Sequence, residues 1–444
     1  MMQTLRRCAI VGGGMLGIGL ALKLARDPRR RVTLYESAPA LGGLAAPWEL
    51  GGIYWDRHYH VILPSDGHLV ALLRELGLER ELRWTPARSA FYIDERLYPF
   101  TTMLDFLRFP LPLRDKLRLR ETIARARRLP AGGAWREQTA EHWLRTTGGD
   151  RLFERVWRPL LRAKLGDDYR DVSAAFIVAT IKRLQSDYGK KLRGKFGYVR
   201  GGYATIIDRL NSALRGAGVR VRCSAPVRAV ERGTKRLLVQ TYLDVEDFDE
   251  VVLTLPPPLA ASLTRSLTDA ERARWLGVRY RGVLCTSLLL DRRLGDAYVT
   301  NLADERLPFT GIIEMTNLVP PGTFGGLHLV YLPRYVALDD PYASRTNEEI
   351  SADVFSTLPK VFPRFNPVDV RALRISRVPY VFALPECDAS RGVHDVATSV
   401  PGLYLVSSAQ ILDGTLNVNE TLSLAERAAA TIERTPAAIK VSAA

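Results

Sequence analysis

Apolar runs in this chain come in two lengths, and their order predicts the fold. Residues 7–11 (RCAIV) form a short run suited to a strand buried on both faces. Residues 16–25 (LGIGLALKLA) carry enough apolar positions for a buried helix, and 31–36 (RVTLYE) reads as a second strand ending in Glu36. The order returns later. After Gly201-Gly202 a helix is predicted with Ile206, Ile207, Leu210 and Leu214 as apolar positions, followed by a strand reaching APVRAV. The stretch FDEVVLTLPPPLAASL (248–263) gives an acidic start, a buried strand and a proline-rich exit. Near the end a strand over 403–406 leads through a loop into another helix, with Asn417 and Glu420 spaced as a capping box.

Two long stretches interrupt this pattern. Residues 86–197 are helix-rich, whereas 264–374 alternate strand-like runs (VLCTSLLLD, FTGIIEMTNLV, GLHLVYLPRYVAL) before a helix over 347–362. The second suggests a mixed sheet walling an apolar substrate cavity. Residues 104–130 mix bulky apolar side chains with eight Arg or Lys, at a spacing that is not cleanly helical. They read either as a surface that dips into an anionic membrane or as a solvated arginine-rich face.

Composition narrows the classes. A chain of 444 residues exceeds one small core, and 47% hydrophobic residues without a low-complexity tract is a globular balance. Four cysteines without a C-x-x-C pair argue for a reducing compartment and against a zinc ribbon. The net charge of +15 comes from scattered basic residues without a nucleic-acid motif, so it suits an anionic small molecule or membrane surface, or simply an arginine-rich composition. Arg6-Arg7 and the following run imitate a signal segment, but the uncharged run to Leu22 is too short to span a bilayer. The chain reads as cytoplasmic, with the inner membrane surface open to it. Oligomeric state has no signature in the sequence.

The glycines after the first strand carry chemistry. Gly12, Gly14 and Gly17 stand in G-x-G-x-x-G register: a tight turn, a close approach to pyrophosphate, and close helix–strand packing. Glu36 lies where an acid accepts ribose hydroxyls. FAD and NAD share this fingerprint. The continuation ESAPALGGLAAPWELGGIYWDRHYH, with Gly42-Gly43 a short spacer after Glu36, resembles the extended FAD signature of the flavin amine oxidase superfamily. That superfamily includes protoporphyrinogen oxidases, carotenoid-type desaturases and, more distantly, UDP-galactopyranose mutases. Two departures stand out: Leu44 replaces an arginine that often follows the double glycine, and Ser407-Ser408 replace a Gly-Asp pair.

The resemblance implies an α/β fold, with a Rossmann-like, glutathione-reductase-type FAD-binding domain over 1–85, 198–263 and 375–444. A helical and mixed-sheet substrate domain would take 86–197 and 264–374. It implies FAD contacts at Gly12, Gly14, Met15, Leu16, Gly17, Glu36, Ser37, Gly42, Gly43, Leu44, Val227, Ser408, Asn419 and Thr421. The segment YWDRHYHVI (54–62) then becomes the route from pyrophosphate to flavin. If extended, it sets Asp56, His58 and His60 on one face, with Arg57 and Tyr59 opposite. Those three could bind a metal, but His68, His142, His328 and His394 add no ligand spacing, so the cofactor route is preferred and no metal is expected.

Arg57, His58, Tyr59, His60 and Glu314 are the candidate catalytic residues, Glu314 being either substrate-facing or an edge residue facing water. Lys164 and Tyr380 are conceivable neighbours of the flavin that spacing cannot place. There is no G-x-S-x-G elbow and no Walker A sequence. The function implied is FAD-dependent removal of a hydride from a C–H next to nitrogen or an unsaturated carbon of a small, lipid-soluble or anionic substrate. The alternatives are a non-redox flavin-dependent isomerase acting on a nucleotide sugar and a non-catalytic flavin- or NAD-binding component.

Overall fold

The computed structural model describes residues 5–130, 133–185, 194–387, 392–393, 395–412 and 414–434. Its first sheet has five parallel strands in the order Leu403–Leu405, Glu250–Leu253, Arg6–Val11, Arg30–Tyr35 and Arg220–Arg222. The central strands are short apolar runs because both faces are covered. Helices Met15–Leu24, Gly67–Glu75, Gly202–Gly216 and Val418–Arg434 cover one face, over a core that includes Ile18, Leu34, Leu210 and Leu424. An antiparallel meander of Ala229–Arg232, Leu237–Gln240 and Val245–Phe248 covers the other, meeting it through Val239, Phe248 and Val251. The predicted α/β class is borne out, and most predicted elements lie close to those observed, but APVRAV is mostly loop between strands Arg220–Arg222 and Ala229–Arg232, and of FTGIIEMTNLV only Gly311–Glu314 is strand.

Strands from both interruptions join one seven-stranded sheet. Its order is Val370–Ala383, Tyr280–Leu290, His328–Ala337, Gly311–Glu314, Val299–Leu302, Ser89–Ile93 and Arg96–Pro99. All pairs are antiparallel except Val299–Leu302 with Ser89–Ile93. The domain boundary expected at 374/375 falls inside strand Val370–Ala383. That strand stays with this sheet to its end because it pairs with Tyr280–Leu290 along nearly its whole length. Hairpin Pro47–Leu50/Ile53–Asp56 lies over the sheet, with Trp55 packed edge-on to Phe324.

The helical interruption gathers helices Leu113–Arg128, Ala140–Gly148, Arg158–Leu165 and Ala174–Gln185 around Trp143, Phe153 and Leu161. Residues 104–130 are helical after all, in two pieces, Met103–Arg108 and Leu113–Arg128. Pro110 and Pro112 break the run between them, which is why its spacing looked irregular. Among the described residues no helix is long and apolar enough to cross a membrane.

Candidate active site and cofactor loop

The carboxyl ends of strands Arg6–Val11 and Arg30–Tyr35 hold the glycine loop. Gly12 takes φ +116°, and a Cβ there would stand 2.5 Å from Thr254 Oγ1. A Cβ on Gly17 would stand 1.9 Å from the Gly12 carbonyl oxygen, so helix Met15–Leu24 meets its strand at contact distance. Gly14 is different. The nearest atom a Cβ on it would meet is Gly43 Cα at 4.0 Å. Packing therefore does not require glycine at 14, and the space its missing Cβ leaves suits a ligand.

Gly14 begins the helix without a side-chain cap and without an acid in the first turn, so the first amides are available to an anion. Met15 and Leu16 bury their side chains in the core and can offer only backbone. Glu36 accepts the Gly13 amide at 2.7 Å on one oxygen, and on the other the Ala38 amide at 2.7 Å and the Ser37 hydroxyl at 3.1 Å. The oxygen that takes only the Gly13 amide keeps a lone pair for a ribose hydroxyl, whereas the other already accepts two bonds. The second glycine pair closes on the first: the Gly42 amide donates to the Gly13 carbonyl, 2.8 Å away. These residues fit a dinucleotide.

Beyond the loop the structure corrects one expectation. The strand stops at Asp56, so Asp56, His58 and His60 share no face. The chain turns there because the Asp56 carboxylate is buried, 2% exposed, and accepts the Tyr203 amide at 2.7 Å. Burial pushes that carboxyl up to about 7. Arg57 and His58 are not on opposite sides either. Arg57 donates to the Gly43 carbonyl at 2.8 Å, and His58 Nδ1 lies 3.1 Å from the Leu44 carbonyl. His58 Nε2 reaches Ser376 Oγ, so the ring bridges the glycine loop and the large sheet. His60 hydrogen-bonds the His58 carbonyl and packs on Tyr203, while Tyr59 OH meets Tyr335 OH at 2.8 Å. Burial lowers His58 to about 3 and His60 to about 4, so both rings are neutral at pH 7.

Tyr59, His60, Tyr335 and Lys164 stand deep inside the protein yet keep accessible surface, which marks the lining of an internal cavity. Lys164 Nζ lies 5.3–5.8 Å from the ring centres of Phe176, Tyr335 and Phe382. Tyr380 packs edge-on to Tyr280, whose hydroxyl lies 3.3 Å from Ser407 Oγ and 3.5 Å from Ser408 Oγ. Sequence reasoning missed Tyr203, Tyr280, Tyr335, Ser376, Phe176 and Phe382. One signal was legible: Ser376, Tyr380 and Phe382 are even-numbered positions of one strand. A further cavity of about 580 Å³ lies between Ser173 and Ala175, Leu384 and Glu386, and Ala409.

Other predicted residues are occupied elsewhere. Glu314 neither faces water nor lies on an edge. It is 2% exposed on an internal strand, and accepts the Leu294 and Gly295 amides at 3.1 and 3.0 Å. Burial raises its carboxyl to about 7, and His328 Nδ1 is 4.0 Å away. Asn419 turns its oxygen to the His68 and Leu69 amides and so caps helix Gly67–Glu75. Asn417 does cap its own helix, accepting the Glu420 amide at 3.0 Å, but the Glu420 carboxylate accepts from Asn419. Thr421 donates to the Asn417 carbonyl. Val227 is half-buried against the meander-side core. No group of three possible metal ligands occurs among the described residues, and His394 lies outside them.

Among known proteins, the family described as flavin containing amine oxidoreductase matches residues 17–432. Flavin-containing amine oxidase B of Sus scrofa is 25% identical over 278 residues, 57% of this chain and 51% of that protein. The chain thus spans about half the length of the amine oxidases it matches. Coproporphyrinogen III oxidase of Mycobacterium bovis is 24% identical over 409 residues, 86% of this chain and 88% of that one. Reduced UDP-galactopyranose mutase superposes with a TM-score of 0.72 at 15% identity, over 96% of this chain and 95% of the other, a likeness of fold.

Proposed function

We infer the activity from the premise that this chain belongs to the flavin-containing amine oxidoreductase family, and propose that it is an FAD-dependent oxidoreductase. The observation that carries this is the open cradle at Gly14, between two glycine loops that lead into an aromatic cavity. When bound, FAD supplies the hydride acceptor that no side chain can provide. The substrate class is a molecule with a C–H beside nitrogen or an unsaturated carbon.

The chain's residues have separable tasks in this reading. Glu36 and the amides of Met15 and Leu16 hold the dinucleotide. Arg57 supplies near Gly43 the cation that Leu44 does not, and its buried Nε has no hydrogen-bond partner among the described residues. His58 locks the loop to Ser376. His58 and His60 are neutral, which suits hydride removal better than acid catalysis. The cofactor unit takes 1–85, 198–263 and the chain after strand Val370–Ala383, and the rest forms the substrate unit.

Part of the surface belongs to the same reading. Met103, Leu104, Leu107, Leu113 and Leu117 are all exposed, Leu113 by 68%, beside exposed Arg108, Arg114 and Arg120. Leucines in an arginine field suit docking on an anionic bilayer at its cytoplasmic face. The test of function is anaerobic mixing of the flavin-loaded protein with cyclic amines and conjugated, partly saturated compounds. Bleaching of the flavin by one of them, with recovery on adding oxygen or a quinone, is expected. Turnover of a nucleotide sugar by dithionite-reduced protein, without net electron transfer, would identify the isomerase instead.

A further inference from the structure

Lys164 is the least explained charge in the interior. It sits near the end of helix Arg158–Leu165 and points at three aromatic rings. Among the described residues it makes no hydrogen bond and no ion pair, and the charge acting on it is another cation, Arg183, itself paired with Asp66. Burial, with Arg183 adding to it, lowers its ammonium to about 8, so most of it is still charged at neutral pH. A buried ammonium without an anion costs free energy that ring faces offset only in part.

The surroundings say what could complete the site. Lys164 keeps accessible surface although it lies deep in the protein, so its ammonium borders space rather than packed atoms. That space is walled by Phe176 from the helical insertion and by Tyr335 and Phe382 from the large sheet. Tyr335 is tied to Tyr59, two residues beyond the arginine at the glycine loop. Among the described residues, the groups facing Lys164 are therefore aromatic rings, two linked hydroxyls and the Arg183 cation, whose own anion is Asp66, with no carboxylate paired to Lys164 itself to neutralise it or to receive a cationic substrate.

We propose that Lys164 is the anion-binding group of the substrate cavity, pairing with a carboxylate or comparable monoanion on an apolar, ring-bearing substrate and disfavouring protonated amines. This rests on the flavin-oxidoreductase reading and narrows its substrate class. A carboxylate at Lys164 gains a charge-assisted hydrogen bond inside a low-dielectric wall, and the rings take up the substrate's apolar body.

The test is calorimetric titration of the flavin-loaded protein with three probes of one shape: cinnamate, cinnamamide and cinnamylamine. Wild type should bind cinnamate about ten-fold or more tighter than cinnamamide, and cinnamylamine weakest. Lys164→Met should erase the preference for cinnamate and leave cinnamamide unchanged, while Lys164→Arg retains part of it. A wild-type series gives a second reading that needs no variant. Cinnamate binding should weaken from about pH 7 to pH 9.5 as the lysine loses its proton, with cinnamamide flat. An undiminished preference in Lys164→Met, or tightest binding by cinnamylamine, overturns the proposal. So does loss of flavin from the variant, which would assign Lys164 to the cofactor. Flavin content, read by absorbance in the same samples, separates this from failure of the flavin reading: a flavin-loaded wild type without preference for cinnamate overturns this proposal alone, whereas a wild type that cannot be loaded with flavin contradicts that reading and this proposal with it.

Discussion

Gly14 and Gly17 belong to the same motif but serve different masters. Gly17 is demanded by the fold, since any Cβ would strike the Gly12 carbonyl 1.9 Å away. Gly14 is left free by the fold and is needed by what binds there. Gly14→Ser should thus keep apoprotein stability within about 0.5 kcal/mol, because serine is a good helix N-cap, while FAD affinity falls at least about ten-fold. Gly17→Val should fail to yield folded protein. Thermal melts of apoprotein and FAD titrations check both. Equal loss of stability in the two would contradict the division.

Asp56 gives a pH signature. Its folded carboxyl is raised to about 7 from an ordinary 3.8, so the folded chain binds that proton more tightly than the unfolded chain. Its protonated form favours folding, and this contribution is lost as pH rises from about 4 through 7. Asp56→Asn keeps an oxygen for the Tyr203 amide and removes the ionisation. Its advantage over wild type in urea unfolding should grow between about pH 4 and pH 8, to at most about 4 kcal/mol. A pH-independent difference would rule this out. The sequence showed Asp56 beside two histidines but not its partner, because Tyr203 lies 147 residues away.

At the scale of elements, local pattern identified most strands and helices, and it failed where partners were distant. Asn419 sits in the first turn of helix Val418–Arg434, in a stretch resembling a flavin-binding element, yet its side chain caps helix Gly67–Glu75. Nothing local announces such a cap. Helices Met103–Arg108 and Leu113–Arg128 show the opposite case: both readings of their composition were available, and only exposure of their leucines favours one. Co-sedimentation with vesicles should show binding that rises with anionic lipid and falls with salt. Leu107→Glu with Leu117→Glu should abolish it without altering flavin content or melting temperature. Equal binding to neutral vesicles, or none to anionic ones, would contradict the docking surface.

For the whole molecule, the sequence read two interruptions of a dinucleotide fold, and the structure joins them into a single sheet. The parallel pairing of Val299–Leu302 with Ser89–Ile93, more than 200 residues apart, is invisible to periodicity, which carries no register between distant segments. A sheet-walled cavity was expected, but its lining was not legible, since its rings come from the helical insertion, the large sheet and the segment after the glycine loop. The cofactor loop was the legible part, being local and built from residues whose chemistry is fixed by their spacing.

The central claim is that this fold carries FAD between Gly14 and the aromatic cavity. The most direct measurement is the absorption spectrum of the purified protein, followed by mass analysis of the cofactor released on denaturation. The account predicts a yellow protein with an oxidised-flavin spectrum and FAD in stoichiometric amount, or a colourless one that gains both on addition of FAD. A colourless preparation that FAD cannot reconstitute, or one that releases a nicotinamide dinucleotide instead, would contradict it.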